Sequence, residues 1–230
     1  DLWTGSTRFL SRGHKNRFAA LGRPSTAFAP KAARIARALL TDHPRSWTQR
    51  ELAQATALSE GHVSRTLQRL VDADLVVKVQ GSIQVPDPVL LLRAWEQDYE
   101  GPHDVMRAHV GARTSEAVLD LAALALHEAG IEHAATGLAG AWHHRPFAQH
   151  RLVSILVERL PTPRESGSIG LDVTGGNLEL LVPRDSGVFY GAQDGFASPV
   201  QVYMDLASSP ERSEEAKSEM LELLKERWSR

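Results

Sequence analysis

No cysteine occurs among the 230 residues, which excludes disulfides, thiolate nucleophiles and Cys-type zinc sites in one step. No apolar run approaches the roughly eighteen residues that a membrane span needs, so a membrane-embedded chain is excluded. Nothing resembles a secretory signal, and a cytoplasmic location is the expectation. Nucleotide motifs are missing as well. Gly167, Gly170, Gly175 and Gly176 lack the following Lys-Ser/Thr of a phosphate loop, and Gly137 with Gly140 makes no dinucleotide fingerprint. Ser154 and Ser186 stand outside any G-x-S-x-G context. The ten histidines do not reach metal-chelating spacing. His127-Glu128 is followed by His133 only beyond the helix-ending Gly130, and the neighbours His143 and His144 would point about 100° apart on a helix. Glu158 and Asp172 do not form the closely spaced pair that holds two metal ions. These absences leave no catalytic residue, no metal ligand and no cofactor to assign. The chain is read as non-enzymatic, its carboxylates as a solvated surface.

What is present is ordinary in bulk and uneven in distribution. Hydrophobic residues make up 42% and charged residues 23%, typical of a globular protein, and the length suits two domains better than one. The formal net charge is −2, yet residues 1–100 hold 14 Lys and Arg against 10 Asp and Glu, while 101–230 hold 12 against 18. A basic half joined to an acidic half fits phosphate binding by the first without a basic protein overall.

The most informative stretch runs from Thr48 to Leu75. Thr48 and Glu51 form a capping box, S/T-x-x-E, which starts a short helix. Ala57-Leu58 make a turn, and Ser59 caps a second helix in which Val63, Leu67 and Leu70 recur at i, i+4 and i+7. The opposite face collects Gly61, Arg65, Gln68 and Arg69, with His62 and Ser64 on its flanks. Two short helices with a basic outer face on the second is how a recognition helix enters the DNA major groove. Such a corner also occurs in folds that never touch DNA, so the continuation decides. Leu75 to Val79 alternates, Gln80-Gly81-Ser82 supplies a turn, and Ile83 to Val85 alternates back. A hairpin in that position is a wing. The candidate DNA-binding residues are Ser59, His62, Ser64, Arg65, Gln68 and Arg69, with Lys78 and Ser82 in the wing as backbone contacts.

The fold class expected is α+β: a winged helix-turn-helix followed by an α/β domain. Residues 1–29 form a basic N-terminal segment carrying Arg8, Arg12, Lys15, Arg17 and Arg23. It holds a hairpin expected between Arg8–Leu10 and Asn16–Phe18, and suits a DNA-contacting arm. Opening on Asp1, the chain is expected to be trimmed. The winged helix and a linker helix fill 30–100, with Pro30 starting the first helix, Ile35 and Leu39 inward, and Arg34 and Arg37 outward. Asp87-Pro88 begins the linker helix, and Gly101-Pro102 marks the boundary. Domain 101–230 alternates strands and helices. The sequence predicts a strand from Met106, a helix from Ser115 to a C-cap at Gly130, a helix over Gly137 to His143, strands over Leu152 to Leu160 and Asn177 to Val182, and helices over Ser198 to Leu206 and Glu211 to Trp228. Each half has its own periodic apolar segments and is expected to fold by itself.

The segments KAARIARALL, WTQRELAQATALSEGHVSRTLQRLVDADLV, TGLAGAWHHRPFA, GGNLELLVPRDSGVFYGA and ASPVQVYMDLA resemble, in that order, the AbiEi-type antitoxins of bacterial type IV toxin-antitoxin systems. The likeness covers roughly residues 30 to 210. It implies a winged-helix repressor that binds inverted repeats in double-stranded DNA upstream of its own operon. It also implies a C-terminal domain that counters a nucleotidyltransferase-like toxin and itself loosely resembles a nucleotidyltransferase. This sequence departs from an active enzyme of that sort, because Leu152 to Glu158 offers no Asp-x-Asp pair for Mg²⁺. Two other classes fit the residues: a winged-helix regulator whose acidic domain senses a small ligand, and an enzyme of that domain.

Overall fold

The computed structural model describes residues 2–4, 7–9, 27–146, 150–171, 174–207 and 213–229. Two short strands, β1 (Leu2–Thr4) and β2 (Thr7–Phe9), pair antiparallel with Leu2 opposite Phe9. The expected hairpin partner of Arg8, around 16–18, lies outside the described residues, and the partner within them is β1.

Helix α1 (Pro30–Thr41) begins with Pro30 at its first turn, where a missing amide donor costs nothing. Helix α2 (Gln49–Thr56) opens on the complete capping box: Thr48 Oγ1 accepts from the Glu51 amide at 3.2 Å, and Glu51 Oε2 accepts from the Thr48 amide at 2.7 Å. It stops where Ala57 turns left-handed at φ 53°, and the amides of Leu58 and Ala57 return to the carbonyls of Ala53 and Gln54, the Schellman closure. Helix α3 (Glu60–Asp72) is capped by Ser59, whose Oγ accepts from the His62 amide at 3.3 Å. It closes in the same way through Asp74 at φ 58°, with Leu75 N on Leu70 O at 2.9 Å.

The wing is β3 (Val77–Val79) and β4 (Ser82–Gln84). Gln80 and Gly81 have φ of 51° and 82°, the pair of positive values that a two-residue type I′ turn demands. The turn is thus shorter than expected, and Ser82 opens β4 instead of belonging to it. Trp47, just before α2, exchanges both backbone hydrogen bonds with Ile83 at 3.0 and 2.6 Å, which ties the wing to the start of the helix-turn-helix. Helix α4 (Pro88–Glu96) follows, capped by Asp87 Oδ1 on the Leu90 amide at 2.9 Å. It ends at Glu96, before Tyr99.

The second half runs β5 (Asp104–Val110), α5 (Ser115–Glu128), β6 (His133–Thr136), α6 (Gly137–His144), β7 (Val153–Val157), β8 (Ile169–Leu171), β9 (Leu178–Val182), a 3-10 turn (Ser186–Phe189), α7 (Pro199–Ala207) and α8 (Ser213–Trp228). The five strands form one sheet in the order β6-β7-β9-β5-β8, antiparallel except between β7 and β9. Alternation along β7 and β9 sends Val153, Ile155, Val157, Leu178 and Leu180 to one face, where they meet Val118, Ala122 and Leu126 of α5. Leu156 and Leu181 point the other way and join a larger cluster. That cluster also holds Leu39 of α1, Leu67 of α3, Trp95 of α4, Tyr203 of α7 and Trp228 of α8. The fold is therefore mixed α+β with an N-terminal helix-turn-helix, and one apolar core runs across Gly101.

This packing corrects the reading of α1. Arg34 and Arg37 were expected outside, the outer face of α1 being solvent in a stand-alone winged helix, but the second half covers that face. Arg34 chelates Asp185 with Nε at 2.6 Å and Nη2 at 2.8 Å and also donates to the carbonyl of Thr56 at 3.0 Å. The hydrogen bond to Asp185 raises its pKa. Arg37 is 3% exposed, donates from Nε to Gln201 Oε1 at 2.9 Å and lies 5.0 Å from the Trp95 ring centroid. Further bonds close the joint: Trp228 Nε1 donates to the Leu40 carbonyl at 2.9 Å, Tyr190 OH to Asp42 at 2.8 Å, and Tyr203 OH to Glu96 at 2.8 Å. Burial pushes the Glu96 pKa up, but bonds from Lys217, Tyr203 and Arg93 outweigh it and hold the carboxyl below its ordinary range. Gly187 in the 3-10 turn has no room for a side chain, since a Cβ there would lie 2.6 Å from Arg34 Cγ and 2.8 Å from Asp185 Oδ1.

Candidate nucleic-acid interface

Helix α3 buries Val63, Thr66, Leu67 and Leu70 against α1 and α2, and that burial fixes which residues face out. Gly61, Arg65 and Gln68 are exposed, one turn apart along the outer stripe, with Ser64 and Arg69 half-buried at its edges. The Arg65 guanidinium reaches back toward the N-terminal turn, where a Cβ on Gly61 would lie 3.6 Å from its Nη1. This is the direction in which helical side chains lean. Gln68 donates to Asp72 Oδ1 at 2.9 Å, which orients its amide along the stripe. No ion pair engages Arg65 or Arg69 among the described residues.

The other sequence-derived candidates are placed differently. Ser59 is exposed, its Oγ accepting at the helix cap while its hydroxyl hydrogen remains a donor. His62 is half-buried and its Nε2 is buried without a hydrogen-bond partner among the described residues, so that nitrogen does not reach the outer stripe. Lys78 is exposed on β3, and Ser82 is half-buried on β4 opposite Val79. The wing also shows water two apolar side chains, Val77 at 36% and Val79 at 46% exposure.

Two basic residues went unnoticed in the sequence. Arg50 is exposed in the first turn of α2, where the helix dipole and Arg charge both favour a phosphate. Arg45 stacks 3.8 Å above the Trp47 ring and pairs with Glu51 at 3.0 Å. Their signal was proximity to a capping box, since the amides before and within the first helix of such a motif lie beside the DNA backbone. Around α3 these cations are partly balanced by Glu60, Asp72 and Asp74. Of the basic N-terminal residues, Arg8 belongs to β2, while Arg12, Lys15, Arg17 and Arg23 lie outside the described residues.

Among the described residues no group of three or more His, Asp or Glu is placed to hold a metal ion, and no helix is long and apolar enough to cross a membrane. His143 stacks on Phe196 at 3.6 Å between centroids, and His144 bonds the Ala197 carbonyl at 2.8 Å. Burial lowers the pKa of His144. On β7, which has no Asp-x-Asp pair, Ser154 donates to Glu179 at 3.1 Å, and Glu179 pairs with Arg107 at 2.7 Å.

Helix, turn, recognition helix and tethered wing together define a winged-helix DNA-binding regulator of transcription. The family model of the Crp-like helix-turn-helix domain matches residues 33–94, a span that begins inside α1 and ends inside α4. Comparison with curated proteins and with solved structures returned no match.

Proposed function

We propose that the protein is an antitoxin that represses its own operon, binding inverted repeats upstream of the gene through α3 and countering a nucleotidyltransferase-like toxin through the second half. The observation that carries the DNA part is the outer stripe of α3: Gly61, Arg65 and Gln68 exposed in register, with the wing fixed beside them by the Trp47–Ile83 bridge. Arg65 and Arg69 supply cationic donors, Gln68 suits adenine, and Ser59, Ser64 and His62 flank the stripe. Lys78 and Ser82 serve as backbone contacts. The antitoxin part is supported by the ordered resemblance over residues 30 to 210. In this reading the second half, loosely nucleotidyltransferase-like, has no transfer activity, and the protein acts in the cytoplasm.

Gel shifts on the region upstream of its own gene, at several salt concentrations, test the interface. Arg65→Ala is expected to cost about 1–3 kcal/mol and relax preference at one base pair. A variant that loses only a phosphate contact, expected for Arg69→Ala, weakens all sequences alike and flattens the salt dependence by about one unit. If both bind like the parent while an arginine between Arg8 and Arg23 proves essential, the N-terminal segment is the reading element. The antitoxin role requires a nucleotidyltransferase-like gene beside this one whose growth arrest the protein relieves. Covalent nucleotide transfer by the full chain with Mg²⁺, abolished by a carboxylate substitution, would overturn the non-enzymatic assignment.

A further inference from the structure

Among the described residues the α-helices contain three glycines, Gly61 in α3 and Gly137 and Gly140 in α6. The fold accounts for the two in α6. Gly137 has a φ of 56°, and its Cβ would meet Ser154 at 3.3 Å, while a Cβ on Gly140 would lie 2.8 Å from Val202 Cγ2. Gly61 answers to neither cause. Its φ is negative, and a Cβ there would approach only Arg65 Nη1 at 3.6 Å, an ordinary contact with the far end of a flexible side chain. The cap of α3 does not need it either, since Ser59 supplies that bond. Glycine is the residue that a helix interior tolerates worst after proline, so Gly61 weakens α3 for no gain inside the molecule.

The gain lies outside it. Gly61 is exposed at the head of the stripe that continues through Arg65 and Gln68. The missing Cβ leaves a notch one methyl group deep, floored by the Cα hydrogens and bounded along the helix by Arg65. The notch carries no side-chain donor or acceptor. Of the groups that a major groove presents, the edges of guanine, adenine and cytosine require a polar partner, and the C5 methyl of thymine alone requires an apolar one. A phosphate matches the notch less well, because the exposed carboxylate of Glu60 stands one position before it.

We propose that Gly61 is a specificity-determining residue whose bare Cα seats the C5 methyl of a thymine in the major groove, beside the base that Arg65 contacts. The inference rests on α3 being the helix that reads DNA, and it names one base of the site that α3 reads. Any side chain at position 61 would hold the groove edge off by at least the width of a methyl group.

Gel shifts of the full chain on the region upstream of its own gene, made either with thymine or with uracil in its place, test this, since uracil lacks only the C5 methyl. The parent protein is expected to bind thymine DNA about fourfold more tightly than uracil DNA, the worth of one buried methyl group. Gly61→Ala is expected to keep or raise the melting temperature and to lose about tenfold on thymine DNA, the cost of pressing an extra methyl group into an occupied site. On uracil DNA it should recover, because its own methyl fills the place that uracil leaves. Effects of uracil on the duplex as a whole are common to both proteins, so the change in the thymine-to-uracil ratio between them is decisive. An unchanged ratio in a folded Gly61→Ala overturns the inference. Replacing thymines by uracil one at a time under the parent protein needs no variant. One position in each half-site should cost about fourfold, and a scan in which none does overturns the inference whether or not Gly61→Ala folds. Absence of binding by the parent to either DNA overturns the reading of α3 as the DNA-reading helix, and this inference with it.

Discussion

The outer stripe of α3 and the outer face of α1 belong to the same small helical unit, yet the chain treats them in opposite ways. On α3, among the described residues, Arg65 is exposed without an ion pair, and Gln68 bonds to Asp72, four positions on. On α1, Arg34 and Arg37 reach partners at sequence separations of 151 and 164 residues. Arginines on two helices of one motif thus serve two ends. One pair is left available to an external partner, while the other is spent in holding the rest of the chain. The difference lies not in the helices themselves but in what covers them, and a winged helix considered alone would show both faces open.

The strongest way to break this contrast is to remove what covers α1. Trp228→Ala deletes a buried ring and leaves the Leu40 carbonyl without its donor, and is expected to destabilise by about 3–5 kcal/mol. Denaturant unfolding followed both by tryptophan fluorescence and by far-ultraviolet dichroism should show the two signals shifting together. A transition in which only the second half melts would mean that the winged helix stands alone. The same logic sets the expectation for the division at Gly101. The apolar cluster shared across it favours one cooperative unit over two independently folding halves, and limited proteolysis that yields a stable 27–100 or 101–230 fragment would refute that.

Gly187→Ala tests the joint more gently. Its Cβ would press on Arg34 and Asp185, at an expected cost of about 1–3 kcal/mol, and DNA affinity should fall only as far as folding does. A DNA defect at full stability would show that the joint tunes the interface directly. Thr48→Ala removes the cap of α2, for about 0.5–2 kcal/mol, and should leave the bonds between the halves intact. Ala57→Gly is the smallest change and the only one in the favourable direction. A left-handed non-glycine residue is strained by roughly 1 kcal/mol, part of which glycine recovers, so a slight rise in melting temperature is expected and a fall would show that Ala57 packs usefully.

The helix-turn-helix was readable because its signals are local. Thr48 with Glu51, Ser59 with His62 and Asp87 with Leu90 each act across three residues, and a local signal survives in any tertiary setting. The same holds for Gly130, whose left-handed φ of 64° ends α5 as a C-cap glycine should. Strand β8, only three residues long, and the 3-10 turn at Ser186 were not seen, since neither is long enough to show a period. The placement of Arg34 and Arg37 was illegible for a different reason. A helical wheel ranks faces by apolarity, and it cannot tell that Asp185, 151 positions after Arg34, and Gln201, 164 after Arg37, will supply the partners with which this face is covered. For His62 the helical angle gives the flank of the stripe, whereas the inward turn of its Nε2 is a matter of rotamer that no periodicity encodes.

The indole of Trp228 resting on the Leu40 carbonyl has a consequence in time. The two residues are 188 positions apart, and a ribosome adding about 5–20 residues per second would leave α1 without that cover for roughly ten to forty seconds. During that interval the caps of α2 and α3 can already close, because everything they need has been synthesised. The nascent chain would therefore hold a nearly finished reading helix on an unfinished support, with apolar surface bare on the side away from DNA. Its late closing step is a contact of very long loop length, the sort that slows folding most, so binding competence should lag secondary structure in any refolding experiment that follows both.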